Sequence, residues 1–153
     1  MKLINPSVEL ITQAPGLEGI YKQIERVGRV CYKSEDKITE DSAKPFVDRM
    51  VKSQHLAMLE HGTVYLAAPY NNEDLLFWKV ANSPYSKGVC DDKSNLLCLT
   101  TNLRVIAELN AWEVIDKYLC EPTESHAKRI CLKFITSIGV SREFNRHKLL
   151  CAA

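Results

Sequence analysis

The densest group of chemically capable side chains in this 153-residue chain lies between Gly139 and Cys151. Gly139 follows a strand-like run, Ile130 to Ile138, and Ser141 can cap a helix by accepting from a free backbone N–H two or three residues on. Arg142, Glu143, Arg146, His147 and Lys148 then fall within two helical turns. Glu143 and His147 share one face and Arg142 and Arg146 another, because residues four apart are neighbours on a helix. A helix N-terminus with two or three cations beside it suits a phosphate. The plainer reading is a solvated, charge-laced helix end, the commoner fate of a charge run.

A second constellation is His55 with Glu60 and His61. Two histidines in a loop could hold a metal, but no third ligand stands near them in sequence, which argues against one. Glu60 reads as a surface carboxylate or as a hydrogen-bonded partner of His61, and His61 as a histidine bonding at a strand start. Asp91-Asp92-Lys93 reads as a hairpin tip rather than a cation site, and His126 as a strand-edge or surface residue. The six cysteines, Cys31, Cys90, Cys98, Cys120, Cys131 and Cys151, form no Cys-x-x-Cys pair and no zinc spacing with a histidine.

Arg146-His147-Lys148-Leu149-Leu150-Cys151 resembles the opening of the signature of flavin-dependent thymidylate synthases. That signature reads Arg-His-Arg, two variable residues, Ser, four variable residues, Ser, one variable residue, Arg. Gly139-Val140-Ser141-Arg142-Glu143 is similar to the approach to it. His55-Leu56-Ala57-Met58-Leu59-Glu60-His61-Gly62 resembles the family's His, short spacer and Glu-His. Cys31-Tyr32-Lys33-Ser34, Asn82-Ser83-Pro84-Tyr85-Ser86 and Thr100-Thr101-Asn102-Leu103-Arg104 add shorter matches, so the resemblance runs along the whole chain. It departs at Lys148, where the family has its second Arg, at Cys151, where it has Ser, and at Ala57, where it often has Ser or Thr near the flavin phosphates.

The resemblance implies reductive methylation of deoxyuridine monophosphate (dUMP) to thymidylate. Methylenetetrahydrofolate would give the carbon, and flavin adenine dinucleotide (FAD) would relay hydride from NADPH. It implies flavin contacts at His55, Ala57, Glu60, Arg146, His147 and Lys148, nucleotide contacts at Glu143 and Arg146, and a homotetramer with sites between subunits. No side chain is assigned a catalytic role, since the flavin carries the hard step. The chain resembles a family member that stops inside the signature, before its Ser-x-Arg, so weak or absent turnover is expected. Two further readings are a non-catalytic flavin- or nucleotide-binding module and, from the basic helix alone, a small nucleic-acid binder.

The elements that must position these residues follow from periodicity. Val8 to Thr12 reads as a strand, and Leu17 to Val30 as a helix with Ile20, Ile24, Val27 and Cys31 on one face. A second helix starts at Asp41 or Ser42, which puts Pro45 in its first turn, and ends by Gln54. His55 to Gly62 is a loop entering a strand, Thr63 to Ala68. A helix over Asn72 to Ala81 capped by Asn72, strands over Tyr85 to Cys90 and Asn95 to Thr100, and a helix capped by Thr101 or Asn102 and kinked at Asn110 follow. Glu121-Pro122 stops that helix, and Ala127 to Ile138 reads as a long strand, central in the sheet.

Such alternation predicts an α+β (mixed α/β) fold, one domain over 1–153 with a central, largely antiparallel sheet flanked by helices. The length can bury a real core. A net charge of +1, from 20 basic and 19 acidic residues, gives no case for bulk capture of nucleic acid or membrane. No membrane-length apolar run and no secretory leader is found, which reads as a cytoplasmic protein with reduced thiols.

Overall fold

A computed structural model describes residues 5–146, with side chains described through 143. The fold is α+β. The described residues divide into two compact units, Gln13–Arg129 and a smaller one of 5–12 with 130–146.

In the larger unit, α1 (Gly16–Cys31) opens after Pro15, and its Ile20, Gln23, Ile24, Glu25 and Gly28 are buried. α2 (Ala43–Lys52) buries Ala43, Phe46, Val47 and Met50 and follows Ser42 at the N-cap position. The Ser42 hydroxyl accepts from the Thr39 N–H at 2.8 Å and donates to the Glu25 carboxylate at 2.8 Å, which ties α2 to α1. Glu25 is 1% exposed and also takes both Arg29 donors, at 3.0 and 3.1 Å. A buried carboxylate is tolerated only when paired and hydrogen-bonded in this way.

β2 (Thr63–Pro69) alternates strictly, with Val64, Leu66 and Ala68 buried. α3 (Leu75–Ala81) is capped by Asp74, whose carboxylate accepts from the Leu76 and Phe77 N–H groups, while Asn72 Oδ1 accepts from Asp74 N. The cap therefore lies at Asp74 rather than Asn72. β3 (Lys87–Asp91) and β4 (Leu96–Asn102) form a hairpin whose tip is held by Asp91 accepting from Lys93 N and Ser94 Oγ. The three strands make an antiparallel sheet in the order β2-β4-β3, and β4, the central strand, is buried from Leu97 to Asn102. α4 (Leu103–Glu108) and α5 (Trp112–Tyr118) are separated by Asn110 at φ 49°, where the helical path breaks outright instead of kinking.

In the smaller unit, β1 (Ser7–Ile11) pairs antiparallel with β5 (Cys131–Ile135), with Val8 opposite Phe134 and Leu10 opposite Leu132. α6 (Ile138–Arg146) follows. Two sequence expectations fail here. The late strand is shorter than 127–138 and is not central: β5 has β1 as its one partner among the described residues. Its Leu132, Phe134 and Ile135 are exposed. Alternation identifies a strand but carries no information about its neighbours. Ser141 is no cap either, because it lies inside α6. Ser137 serves instead, with its Oγ accepting from Val140 N at 3.4 Å and its carbonyl from Ser141 N.

Candidate functional site

An open concavity of about 510 Å³ is lined by Tyr32, His55, Ala57 and Arg104, with Gln54, Leu56 and Met58 between them. Each wall has a local cause. α2 ends in a left-handed Gln54 (φ 58°), which lets the His55 N–H turn back to the Met50 carbonyl at 2.9 Å. His55 then leads into a six-residue 3-10 turn, Leu56–His61, in place of the expected loop. The turn is pressed onto α1: a Cβ on Gly62 would sit 2.5 Å from the Ile24 methyl, so only glycine allows this approach.

Tyr32, just past α1, brings its hydroxyl to 3.5 Å from His55 Nδ1 and 4.0 Å from Met50 Sδ. Arg104 arrives from the sheet side. Asn102 Oδ1 caps α4 by accepting from Val105 N at 3.1 Å, and Leu103 N donates to the Gly62 carbonyl at 2.9 Å. That pair of bonds sets the first turn of α4 against the end of the 3-10 turn. The Arg104 guanidinium then reaches Glu60 and, at 2.7 Å, Glu108. The two carboxylates, Glu108 foremost, hold Arg104 more firmly protonated than usual.

Three segments far apart in sequence thus meet at one place, and His55 and Ala57 are both on its wall. Glu60 sits beside it, engaged with Arg104. Ala57 offers no hydroxyl there. Glu143 stands exposed on α6, in the smaller unit, as do Arg142 and Val140. Arg146 ends α6, and its side chain lies outside the described residues, as do His147 and Lys148 entirely. Among the described residues no cluster of His, Cys, Asp or Glu could hold a metal.

Residues that sequence reasoning passed over form a second polar centre. His126, read as a strand-edge or surface residue, is not on the surface: it is 3% exposed. Its Nδ1 accepts from the Thr123 N–H at 3.1 Å, so its Nε2 carries the proton and donates to the Leu66 carbonyl at 3.1 Å. The Tyr65 ring meets it edge-on at 5.4 Å. Cys120 Sγ lies 3.7 Å from Nε2, yet the pair is no nucleophile and base. The nitrogen facing the thiol is a donor already committed to a carbonyl, and burial pushes the Cys120 thiol up to about 11. Nearby, Arg129 links β4 to the turn before β3, donating to the Thr101 carbonyl at 3.1 Å and the Tyr85 carbonyl at 2.6 Å. The Thr-x-x-His spacing of Thr123 and His126 was the available sequence signal.

Among the described residues, no helix is long and apolar enough to cross a membrane. Comparison with protein-family models, with curated proteins and with solved structures gives no match for this chain.

Proposed function

We propose that this chain is a flavin-binding protein of the flavin-dependent thymidylate synthase type, acting in the reductive methylation of dUMP with methylenetetrahydrofolate and NADPH as co-substrates. One observation carries the reading. Tyr32, His55 with Ala57, and Arg104 come from three separate stretches that resemble that family, and they line one concavity.

The fit to FAD is uneven. Leu56, Met58 and the Tyr32 ring offer apolar and aromatic surface, with His55 and Gln54 as polar edges, and the volume lies in the ordinary range of a small-molecule site. The diphosphate finds less there, because Arg104 is engaged with two carboxylates and Ala57 lacks a hydroxyl. The resemblance would further give flavin contacts to Arg146, His147 and Lys148 and nucleotide contacts to Glu143 and Arg146. When bound, the flavin supplies the hydride chemistry. Sites between subunits of a homotetramer belong to the same proposal.

Titration of FAD into the wild type and into His55→Ala, read by quenching of flavin fluorescence, tests the assignment. His55→Ala should weaken binding about tenfold, the loss of one well-placed contact. Equal affinities would remove His55 from the site. Tritium release from ring-labelled dUMP separates a catalytic protein from a flavin-binding module without turnover.

A further inference from the structure

We propose that the free edge of β3 pairs with the same edge of a second copy of this chain, antiparallel and centred on Val89, joining two three-stranded sheets into one of six strands. The proposal does not rest on the flavin reading, since Lys87–Asp91 lies outside every stretch that carries the resemblance. The two edges of the sheet differ. Along β2, Leu66 bridges to Leu119 and the Cys120 N–H donates to the Tyr65 carbonyl at 3.0 Å, so the chain covers that edge itself. β3 has β4 as its one strand neighbour among the described residues, and no backbone bond found there leads from Lys87–Asp91 to a further segment. A strand so placed carries a row of donors and acceptors on its outer side. It pairs with β4 continuously, from Lys87 opposite Thr100 to Asp91 opposite Leu96, with no proline to interrupt the row.

Charge identifies the occupant. A lysine on an edge strand usually guards it against pairing. Here Lys87 and Asp91 lie on one face with Val89 midway between them. When the strand meets its own copy antiparallel about Val89, each Lys87 falls opposite Asp91 of the other copy, and two cross-strand ion pairs form. Lys87 is exposed and free to make that pair. Asp91 is held in place by the turn, accepting from the Lys93 N–H at 3.1 Å and the Ser94 hydroxyl at 2.7 Å. Registers centred on Lys87 or on Asp91 set like charges opposite, and those centred on Gly88 or Cys90 lose both ion pairs, so the charges select one register. A five-residue edge is far smaller than a standard interface, which makes the dimer weak, with a Kd on the order of tens of micromolar.

Sedimentation velocity from about 5 to about 200 μM, a range that brackets such a constant, should show a monomer giving way to a dimer. Cross-linking reads the register. Cys90 falls opposite Gly88 of the second copy, which leaves the two exposed Cys90 residues diagonal on one face, roughly 7–8 Å apart. That is too far for a direct disulfide and within reach of a short bis-maleimide, so peptide mapping should find Cys90 joined to Cys90. Lys87→Ser should weaken the dimer about fivefold, the worth of two exposed ion pairs. Lys87→Glu, which sets acid against acid, should weaken it further and abolish the Cys90 cross-link, with circular dichroism confirming that both variants fold. A monomer at every concentration overturns the proposal. So does an assembly that keeps its strength in both variants, or one that cross-links through exposed Cys31 and not through Cys90. Either result leaves the flavin reading standing, since FAD quenching measures that separately, and a Cys90-linked dimer that binds no flavin would overturn the flavin reading alone.

Discussion

Replacing Gly28 by alanine tests a close approach of α2 to α1. Gly28 lies in the body of α1, where alanine is ordinarily preferred by roughly 0.5–1 kcal/mol. Here the added Cβ would stand 2.5 Å from Phe46 Cζ and 2.8 Å from Cε1, about 1 Å inside normal contact. The ring has little room to retreat. Phe46 is 2% exposed, with the Arg29 guanidinium 4.9 Å from its centroid and that of Arg49 at 5.4 Å. Overpacking of this kind costs about 1–3 kcal/mol, and a displaced ring also loses part of two cation–π contacts. Packing therefore outweighs propensity, and Gly28→Ala should destabilise by about 1–2 kcal/mol, a fall in Tm of roughly 2–8 °C. Gly139→Ala, with nothing nearer than Ser137 Oγ at 4.0 Å among the described residues, should be neutral or slightly stabilising. Thermal and urea unfolding followed by circular dichroism measure both. A Gly28→Ala protein as stable as the wild type would refute the close packing of α1 on α2.

Three other perturbations have expected outcomes. Ser42→Ala leaves one oxygen of the buried Glu25 carboxylate without its hydroxyl donor and should cost about 1–3 kcal/mol in urea unfolding. Asp74→Ala removes the cap of α3, worth about 1 kcal/mol. The Lys117 ammonium beside it, with the Phe77 and Leu76 N–H groups, holds the Asp74 carboxyl below its usual range. Its contribution is therefore complete above about pH 4, the unfolded value, and is lost as pH falls through the lower folded value. Urea midpoints over that acid range should fall more steeply for wild type than for the variant, and parallel curves would contradict the assignment. Alkylation at neutral pH followed by mass spectrometry should label exposed Cys31 and Cys90 before Cys98 and Cys120. His126→Phe, which frees the loop from Leu66, should bring Cys120 forward in that order.

What sequence could show depended on the range of the interaction. Ile20 and Ile24 at helical spacing, Asn102 before Leu103, and the Asp91 turn all act within a few residues, and each element lies close to where periodicity and capping put it. The order β2-β4-β3, the pairing of β5 with β1 and the seat of His126 against Leu66 depend on partners dozens of residues away, and local pattern carries no trace of them. The candidate site divides in the same way. His55 and Ala57 were singled out by resemblance, and Tyr32 and Arg104 stood in its shorter matches. The Arg104 link to Glu60 crosses 44 residues, and Glu108 drew no notice because an acidic helix end is unremarkable in sequence.

The pairing of β1 with β5 has a consequence for synthesis on the ribosome. The register Val8 to Phe134 joins one of the earliest described residues to one of the latest. At ordinary elongation rates the first strand leaves the exit tunnel on the order of ten seconds before its partner. Over that interval Val8 and Leu10 wait without their partner strand, while Gln13–Arg129 is being completed. Closing so long a loop adds an entropic barrier that local elements do not face. Of the two described sheets, the ribbon is thus the later to assemble, and the waiting strand is the segment a ribosome-associated chaperone would cover.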